Sequence, residues 1–209
     1  MVVLGTATEV GKTWMGTAVL SRLVAGGVAV SARKPVQSFS PGEGPTDAQL
    51  LAGATGERPQ DVCPPDHSYE VAMAPPMAAD VLGRELFTVA ELAADLRWPE
   101  GPRLGWVETV GGPRSPLAAD GDSADLAAAL APDLTVLVAD AGLGAVNAVR
   151  LAAAALAAPP LVVLNRFEPT EVCVRNRAWL RADGFDVVTG PAELAARLGD
   201  DASKAVAWE

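Results

Sequence analysis

The run Gly5-Thr6-Ala7-Thr8-Glu9-Val10-Gly11-Lys12-Thr13 lies between a short apolar segment, Val2-Val3-Leu4, and a stretch with helical spacing. Small residues let successive backbone N–H groups turn inward on phosphate oxygens. A following helix adds its positive dipole end, the lysine neutralises β/γ-phosphate charge, and the Thr13 hydroxyl reaches Mg2+. Five residues rather than the usual four separate Gly5 from Gly11, and Thr6 stands where the first glycine normally falls. This stretch predicts a nucleoside triphosphate site and names no reaction. Lysine is otherwise scarce, with Lys12, Lys34 and Lys204 the only three in the chain. Two of them lie beside motif-like sequence, which suggests a need for a compact point charge. Lys34, before Pro35, and Glu108 both end apolar runs, and the carboxyl edge of a strand is where α/β sheets bind ligands. Lys34 also reads as a simple strand-end charge. Asp47 opens a helix after Thr46 and reads as part of its cap or as an acidic ligand.

Other chemistries find little support. His67 is the only histidine, and Cys63 and Cys173 lack any CxxC spacing, so neither a zinc site nor a disulfide framework is expected. Both thiols read as buried or half-buried in a reducing cytosol. His67 falls in a Pro-rich stretch and is expected at the surface, away from any triad. The net charge of −10 argues against nucleic-acid and acidic-membrane partners. No apolar run has the length of a membrane span and no leader precedes the first motif, which points to the cytoplasm.

These residues need a frame that gathers them at one edge. Apolar β-type runs at about 2–4, 28–33, 104–108, 134–139, 160–164 and 185–188 alternate with helical stretches at about 12–26, 46–54, 88–96, 144–158, 170–183 and 191–198. Near-continuous apolar strands are those covered on both faces. The expected fold is therefore α/β, a doubly wound, mainly parallel sheet of about six to seven strands of the P-loop NTPase type, in a single domain spanning 1–209. Residues 36–45 and 57–76 read as loops by composition.

Five ordered motifs together resemble the dethiobiotin synthetase family. They are the Gly5–Thr13 loop, Lys34-Pro35-Val36-Gln37-Ser38, Thr46-Asp47-Ala48, Glu108-Thr109-Val110-Gly111-Gly112 and Gly142-Leu143-Gly144-Ala145-Val146-Asn147. The resemblance implies an ATP- and Mg2+-dependent enzyme that closes 7,8-diaminopelargonic acid and CO2 into the ureido ring of dethiobiotin through a carbamate and a carbamic-phosphoric anhydride. It implies that Lys12 stabilises the transferring phosphoryl group and Lys34 the carbamate, and that Thr13, Asp47 and Glu108 hold Mg2+. Glu9, Val10, Gly11, Lys12, Thr13, Trp14 and Asp47 would meet the nucleotide, with Asn165, Arg166, Thr189, Gly190 and Pro191 around its base. Thr8, Ser38, Thr109, Val110 and Gly111 would meet the diamine, and Asn147 would reach its carboxylate end from the other subunit of a homodimer. Asn147 also reads as an ordinary helix polar residue, and Asn165 as a strand-end turn residue.

Some positions differ from the family pattern. Thr109-Val110 stands in place of Gly-Ala, where β-branched side chains restrict the backbone. Arg114 enters the segment that follows, and Ala148 replaces a histidine many relatives carry. A paralogue activating another carbamate or carboxylate shares these features, and so does a switch ATPase. The switch proteins use a lysine early in the loop, and Thr6-Ala7-Thr8 offers none.

Overall fold

The computed structural model describes residues 1–102 and 104–206. In chain order the elements are β1 (Val2–Gly5), α1 (Lys12–Ala25), β2 (Val30–Arg33), β3 (Gln37–Ser38), α2 (Asp47–Thr55), α3 (Pro59–Val62), β4 (Ser68–Tyr69), α4 (Pro75–Leu82), α5 (Val89–Ala94), β5 (Leu104–Glu108), α6 (Ser123–Leu130), β6 (Thr135–Asp140), α7 (Ala145–Ala153), β7 (Leu161–Asn165), α8 (Glu171–Ala182), β8 (Val187–Thr189) and α9 (Gly190–Val206). Six strands form one parallel sheet in the order β2-β5-β1-β6-β7-β8, and β3 and β4 pair separately. No described helix is long and apolar enough to cross a membrane.

Strand alternation explains the two layers. Val136 and Val138 of β6 pack with Val3, α1, α2 and α9, while Leu137 and Ala139 pack with Leu4, α6, α7 and α8. Successive side chains on a strand point to opposite faces, so a sheet buried on both sides has few polar positions except at its strand ends. A third apolar cluster, around Tyr69, Leu92, Leu117 and Leu126, joins α4, α5 and α6 beside the short β3-β4 pair.

The order places β1 between β5 and β6, with later strands added on the β6 side. Ligands of open α/β sheets bind at the carboxyl ends of strands where the winding reverses. The parallel register sets Val3 opposite Glu108 and Gly5 opposite Val138, so the Gly5–Thr13 loop and the end of β5 emerge side by side.

Four sequence expectations need correction. The stretch 57–76 is not a plain loop: it holds α3, a 3-10 turn at Pro65–His67 and β4, and α4 begins at Pro75. The loop 36–45 holds β3, and α6 was not foreseen. The helix expected over 144–158 ends at Ala153, where the bonding tightens to i→i+3 turns, Ala155 on Ala152 and Leu156 on Ala153. His67 is buried at 4% exposure, not at the surface. Its Nδ1–H donates to the Pro35 carbonyl at 2.8 Å and its ring packs on Phe87. Cys63 and Cys173 are buried free thiols, as expected.

Candidate active site

The Gly5–Thr13 loop leaves β1 and wraps over the start of α1. The backbone amides of residues 7–11 donate to no other group among the described residues. Those N–H groups and the N-terminus of α1 make an anion-binding concavity. Its shape depends on Gly11, which has φ 89°. A Cβ at Gly11 would also stand 2.2 Å from Asn165 Nδ2. That amide reaches across from the end of β7 and donates to the Val10 carbonyl at 2.9 Å. Arg166, next along, donates to the Glu9 carbonyl at 2.9 Å and pairs with Asp140, also at 2.9 Å. The loop is thus held from the neighbouring strand ends.

Lys12 folds back across its own loop. Its Nζ donates to the Gly111 carbonyl at 2.9 Å and the Ala7 carbonyl at 3.3 Å, tying the loop to the turn after β5. That turn is close-packed, with Gly111 at φ 52° and a Cβ there only 2.2 Å from Ser115 Oγ. Burial, and next the positive field of Lys34, lower the Lys12 pKa to about 8.

Beside Lys12 sits a charged cluster. Lys34 Nζ lies 2.8 Å from Glu108 Oε1 and 2.8 Å from Asp47 Oδ2, and it donates to the Thr109 carbonyl at 3.1 Å. Both Lys34 and Glu108 are buried. Burial alone would lower the Lys34 pKa, but Glu108 and then Asp47 outweigh it and raise it, so the ammonium keeps its proton. For Asp47 burial works upward, and Lys34 more than offsets it, holding the carboxyl below its ordinary range. The cap of α2 places Asp47 here, because Thr46 and Gln49 form a capping box that fixes where the helix starts.

Thr13 Oγ1 is 2.7 Å from Asp47 Oδ1 and also 2.7 Å from Glu108 Oε1. A hydroxyl has one proton and donates to one of them. Glu108 Oε2 is buried and has no hydrogen-bond partner. Three converging oxygens with a single proton, and an unpartnered carboxylate oxygen beside them, fit a hard cation that takes oxygen ligands. Among the described residues no group of three or more His, Cys, Asp or Glu could hold a metal. Mg2+ characteristically uses one or two carboxylates and completes its shell with substrate phosphates and water.

Lys12, Thr13, Lys34 and Asp47 line one cavity of about 720 Å3, and Glu108 is buried behind them. Thr8, Glu9, Gly11, Lys12, Thr13, Trp14, Lys34, Ser38, Asp47, Val110 and Gly111 all face it, which brings together most of the residues singled out from sequence. Others lie elsewhere. Thr109 is fully buried, with its hydroxyl on the Val3 carbonyl at 3.2 Å, and only its carbonyl faces Lys34. Asn165 and Arg166 meet the loop from behind, as described. Thr189, Gly190 and Pro191 lie at the junction of β8 and α9, where the Thr189 amide donates to Glu193 at 2.7 Å. Asn147 is exposed on α7 and lines a second cavity of about 540 Å3, on its own chain, with Thr8, Arg114, Ser115 and Leu151. Thr8 and Ser115 line both cavities.

Sequence reading missed two parts of the wall. Gln37 is buried, donating to Ser68 Oγ at 2.7 Å and accepting from the Ala48 amide at 3.0 Å, so it fixes the α2 start against β4. It stood inside the Lys34–Ser38 run without a role. The apolar side, Ala72-Met73-Ala74-Pro75, gave no signal, because it reads as loop and is carried in by the Ser38 hydroxyl donating to the Met73 carbonyl.

Residues 1–182 match the AAA domain family. The chain is also similar to curated proteins named ATP-dependent dethiobiotin synthetase BioD. It is 37% identical to the one from Anaeromyxobacter sp. (strain K) over 216 residues, 99% of this chain and 89% of that protein. The protein of Anaeromyxobacter dehalogenans (strain 2CP-C) is 38% identical over 81% of this chain and 77% of its own length. That of Haloferax mediterranei is 36% identical over 90% and 82%.

Proposed function

The chain belongs to the family of ATP-dependent dethiobiotin synthetases, and from that premise we propose that it is a single-domain ligase forming dethiobiotin from 7,8-diaminopelargonic acid, CO2 and ATP. The observation that carries the proposal is the gathering of Lys12, Thr13, Lys34 and Asp47 on one cavity beside free loop amides, with Glu108 buried behind them against Lys34 and Thr13. A ring closure that activates a carbamate gathers negative charge between two oxyanions, and such a site needs positive charge placed in advance.

In this reading the amides of residues 7–11 cradle the phosphates, and Glu9, Val10, Gly11 and Trp14 follow the nucleotide out of the cavity. Asn165, Arg166, Thr189, Gly190 and Pro191 bound the side on which the base would lie. Thr8 and Ser38 orient the diamine between the loop and Gly111, with Val110 against its chain. One amine adds to CO2, forming an N–C bond and releasing a proton. The carbamate oxygen then attacks the γ-phosphorus while Lys12 meets the charge on the transferring group, and ADP leaves. The second amine attacks the carbamoyl carbon, phosphate departs with the C–O electron pair, and a second proton goes to solvent. Lys34 meets the carbamate charge. Thr13, Asp47 and Glu108 would hold Mg2+, which supplies charge neutralisation on the phosphoryl oxygens.

We also propose a homodimer packed on the outer side of α7. Ala145 and Ala152 are buried inward, whereas Leu151, and Leu143 just ahead of the helix, are 69% and 96% exposed respectively. Asn147 would stand at that seam. Light scattering that gives a monomer at micromolar concentration removes this part of the proposal.

The central test is ATP turnover with bicarbonate and diaminopelargonate, separately and together, with mass-spectrometric detection of dethiobiotin from labelled bicarbonate. Turnover should require both, since the γ-phosphate has no acceptor until the carbamate forms. Acceptor-independent hydrolysis with no labelled product would return the chain to the switch-ATPase reading.

A further inference from the structure

Lys34 presents an ammonium with three N–H donors, and all three are engaged, by Glu108 Oε1, Asp47 Oδ2 and the Thr109 carbonyl. The same two carboxylates turn Asp47 Oδ1 and Glu108 Oε1 toward Thr13. The groups assigned to a cation are therefore already neutralised in part by a residue of the chain, and the residue assigned to the carbamate has no free donor. Lys34 has no donor for a carbamate until that arrangement opens.

We infer that Lys34 is the resident counter-charge of Asp47 and Glu108, and that it keeps the pair from taking a divalent cation until nucleotide phosphates arrive with it. The inference rests on the reading of Asp47 and Glu108 as metal ligands. Two carboxylates and one ammonium leave one net negative charge for a doubly charged ion, and no third acid joins them among the described residues. Lys12, whose ammonium lines the same cavity, adds repulsion. Triphosphate brings both the missing ligands and the missing negative charge. When Asp47 and Glu108 turn toward a cation, Lys34 loses two of its three acceptors and keeps the Thr109 carbonyl. Its ammonium, buried on the cavity wall, is then available to a carbamate oxygen. One side chain thereby links nucleotide loading to readiness for the acceptor, which disfavours idle hydrolysis.

The test measures Mn2+ binding, not turnover. The full chain is titrated with Mn2+ by electron paramagnetic resonance, without nucleotide and with a non-hydrolysable ATP analogue. The wild type should bind Mn2+ weakly alone and tightly with the analogue. Lys34→Met and Lys34→Gln should raise the nucleotide-free affinity by about tenfold or more, because a unit charge within a few ångströms of the site is removed. Mn2+ should also raise the Tm of both variants further than that of the wild type. If a variant is unfolded alone, recovery of its circular dichroism in millimolar Mn2+ supports the inference, and no recovery overturns it. Equal nucleotide-free affinity in wild type and both variants also overturns it. Asp47→Asn and Glu108→Gln separate the two levels. If neither weakens Mn2+ binding with the analogue present, the metal reading itself falls.

Discussion

Replacing Gly11 by alanine tests how the phosphate loop keeps its shape. The backbone there has φ 89°, which costs an L-residue roughly 1–2 kcal/mol. The added methyl would also lie 2.2 Å from Asn165 Nδ2, whose amide donates to the Val10 carbonyl. Asn165 must swing away, and leaving its buried partner unsatisfied costs about 1–3 kcal/mol more. Gly11→Ala should therefore lower folding stability by about 2–5 kcal/mol, a large share of a total usually about 5–15 kcal/mol. Chemical denaturation of Gly11→Ala, Asn165→Ala and the double variant separates the two parts. In the Asn165→Ala background only the backbone cost, about 1–2 kcal/mol, should remain. An identical cost in both backgrounds would show that the strand-end asparagine does not hold the loop. The same series should weaken nucleotide binding in Gly11→Ala, because the amides of residues 7–11 would no longer point at one centre.

Three further outcomes are expected. Lys12 loses its charge in the free protein as pH rises through about 8, while bound phosphate favours the charged form. Nucleotide affinity by calorimetry should fall above that pH and binding should take up protons there; an affinity that is flat to about pH 10 contradicts the placement of Lys12. Lys12→Ala should abolish phosphate release while circular dichroism remains native, and a folded variant with normal turnover would remove Lys12 from the chemistry. His67→Leu should cost about 1–3 kcal/mol in chemical denaturation, by leaving the Pro35 carbonyl without its donor, and should lower kcat through the adjoining Lys34; unchanged stability would show that the Nδ1 contact contributes nothing.

The candidate site was legible in the sequence because its charged residues sit at strand ends. A buried parallel strand has few polar positions, so Lys34, Glu108 and Asn165 stood out against apolar runs, and the fold sets all three at one edge. The Asp47 start of α2 was readable from its cap. The region between β3 and α5 was not, because its short elements are set by tertiary contacts rather than periodicity. Five prolines in 57–76 read as loop. In the fold, Pro59 and Pro75 open short helices, where a proline lacks only a donor that has no helical partner. His67 was misplaced for the same reason, since nothing local says that Pro35 and Phe87 close around it. The α6 helix did carry a signal, Asp122 followed by Asp125 in a reciprocal cap, and an alanine-rich run behind it.

Thr109-Val110 shows how a sequence departure changes meaning once its direction is known. Read along the chain, two β-branched residues replace the small pair that would lie against the diamine. Just past the end of β5 the backbone sends their side chains to different sides. Thr109 turns inward, where its amide and hydroxyl both meet the Val3 carbonyl, at 3.0 and 3.2 Å, and its bulk falls in the core. Only Val110 lines the cavity, facing the apolar wall that contains Met73 and Pro75. On the proposed reading, the extra volume would meet the alkyl part of the diamine and not its amines. Meanwhile the Thr109 carbonyl remains on Lys34, so the backbone contact that positions the ammonium survives the change in side chain. Val110→Ala should accordingly alter the KM for diamines of different chain length, whereas Thr109→Gly should act on stability and on Lys34. If Thr109→Gly instead shifts chain-length preference as strongly as Val110→Ala, the inward orientation of Thr109 is wrong.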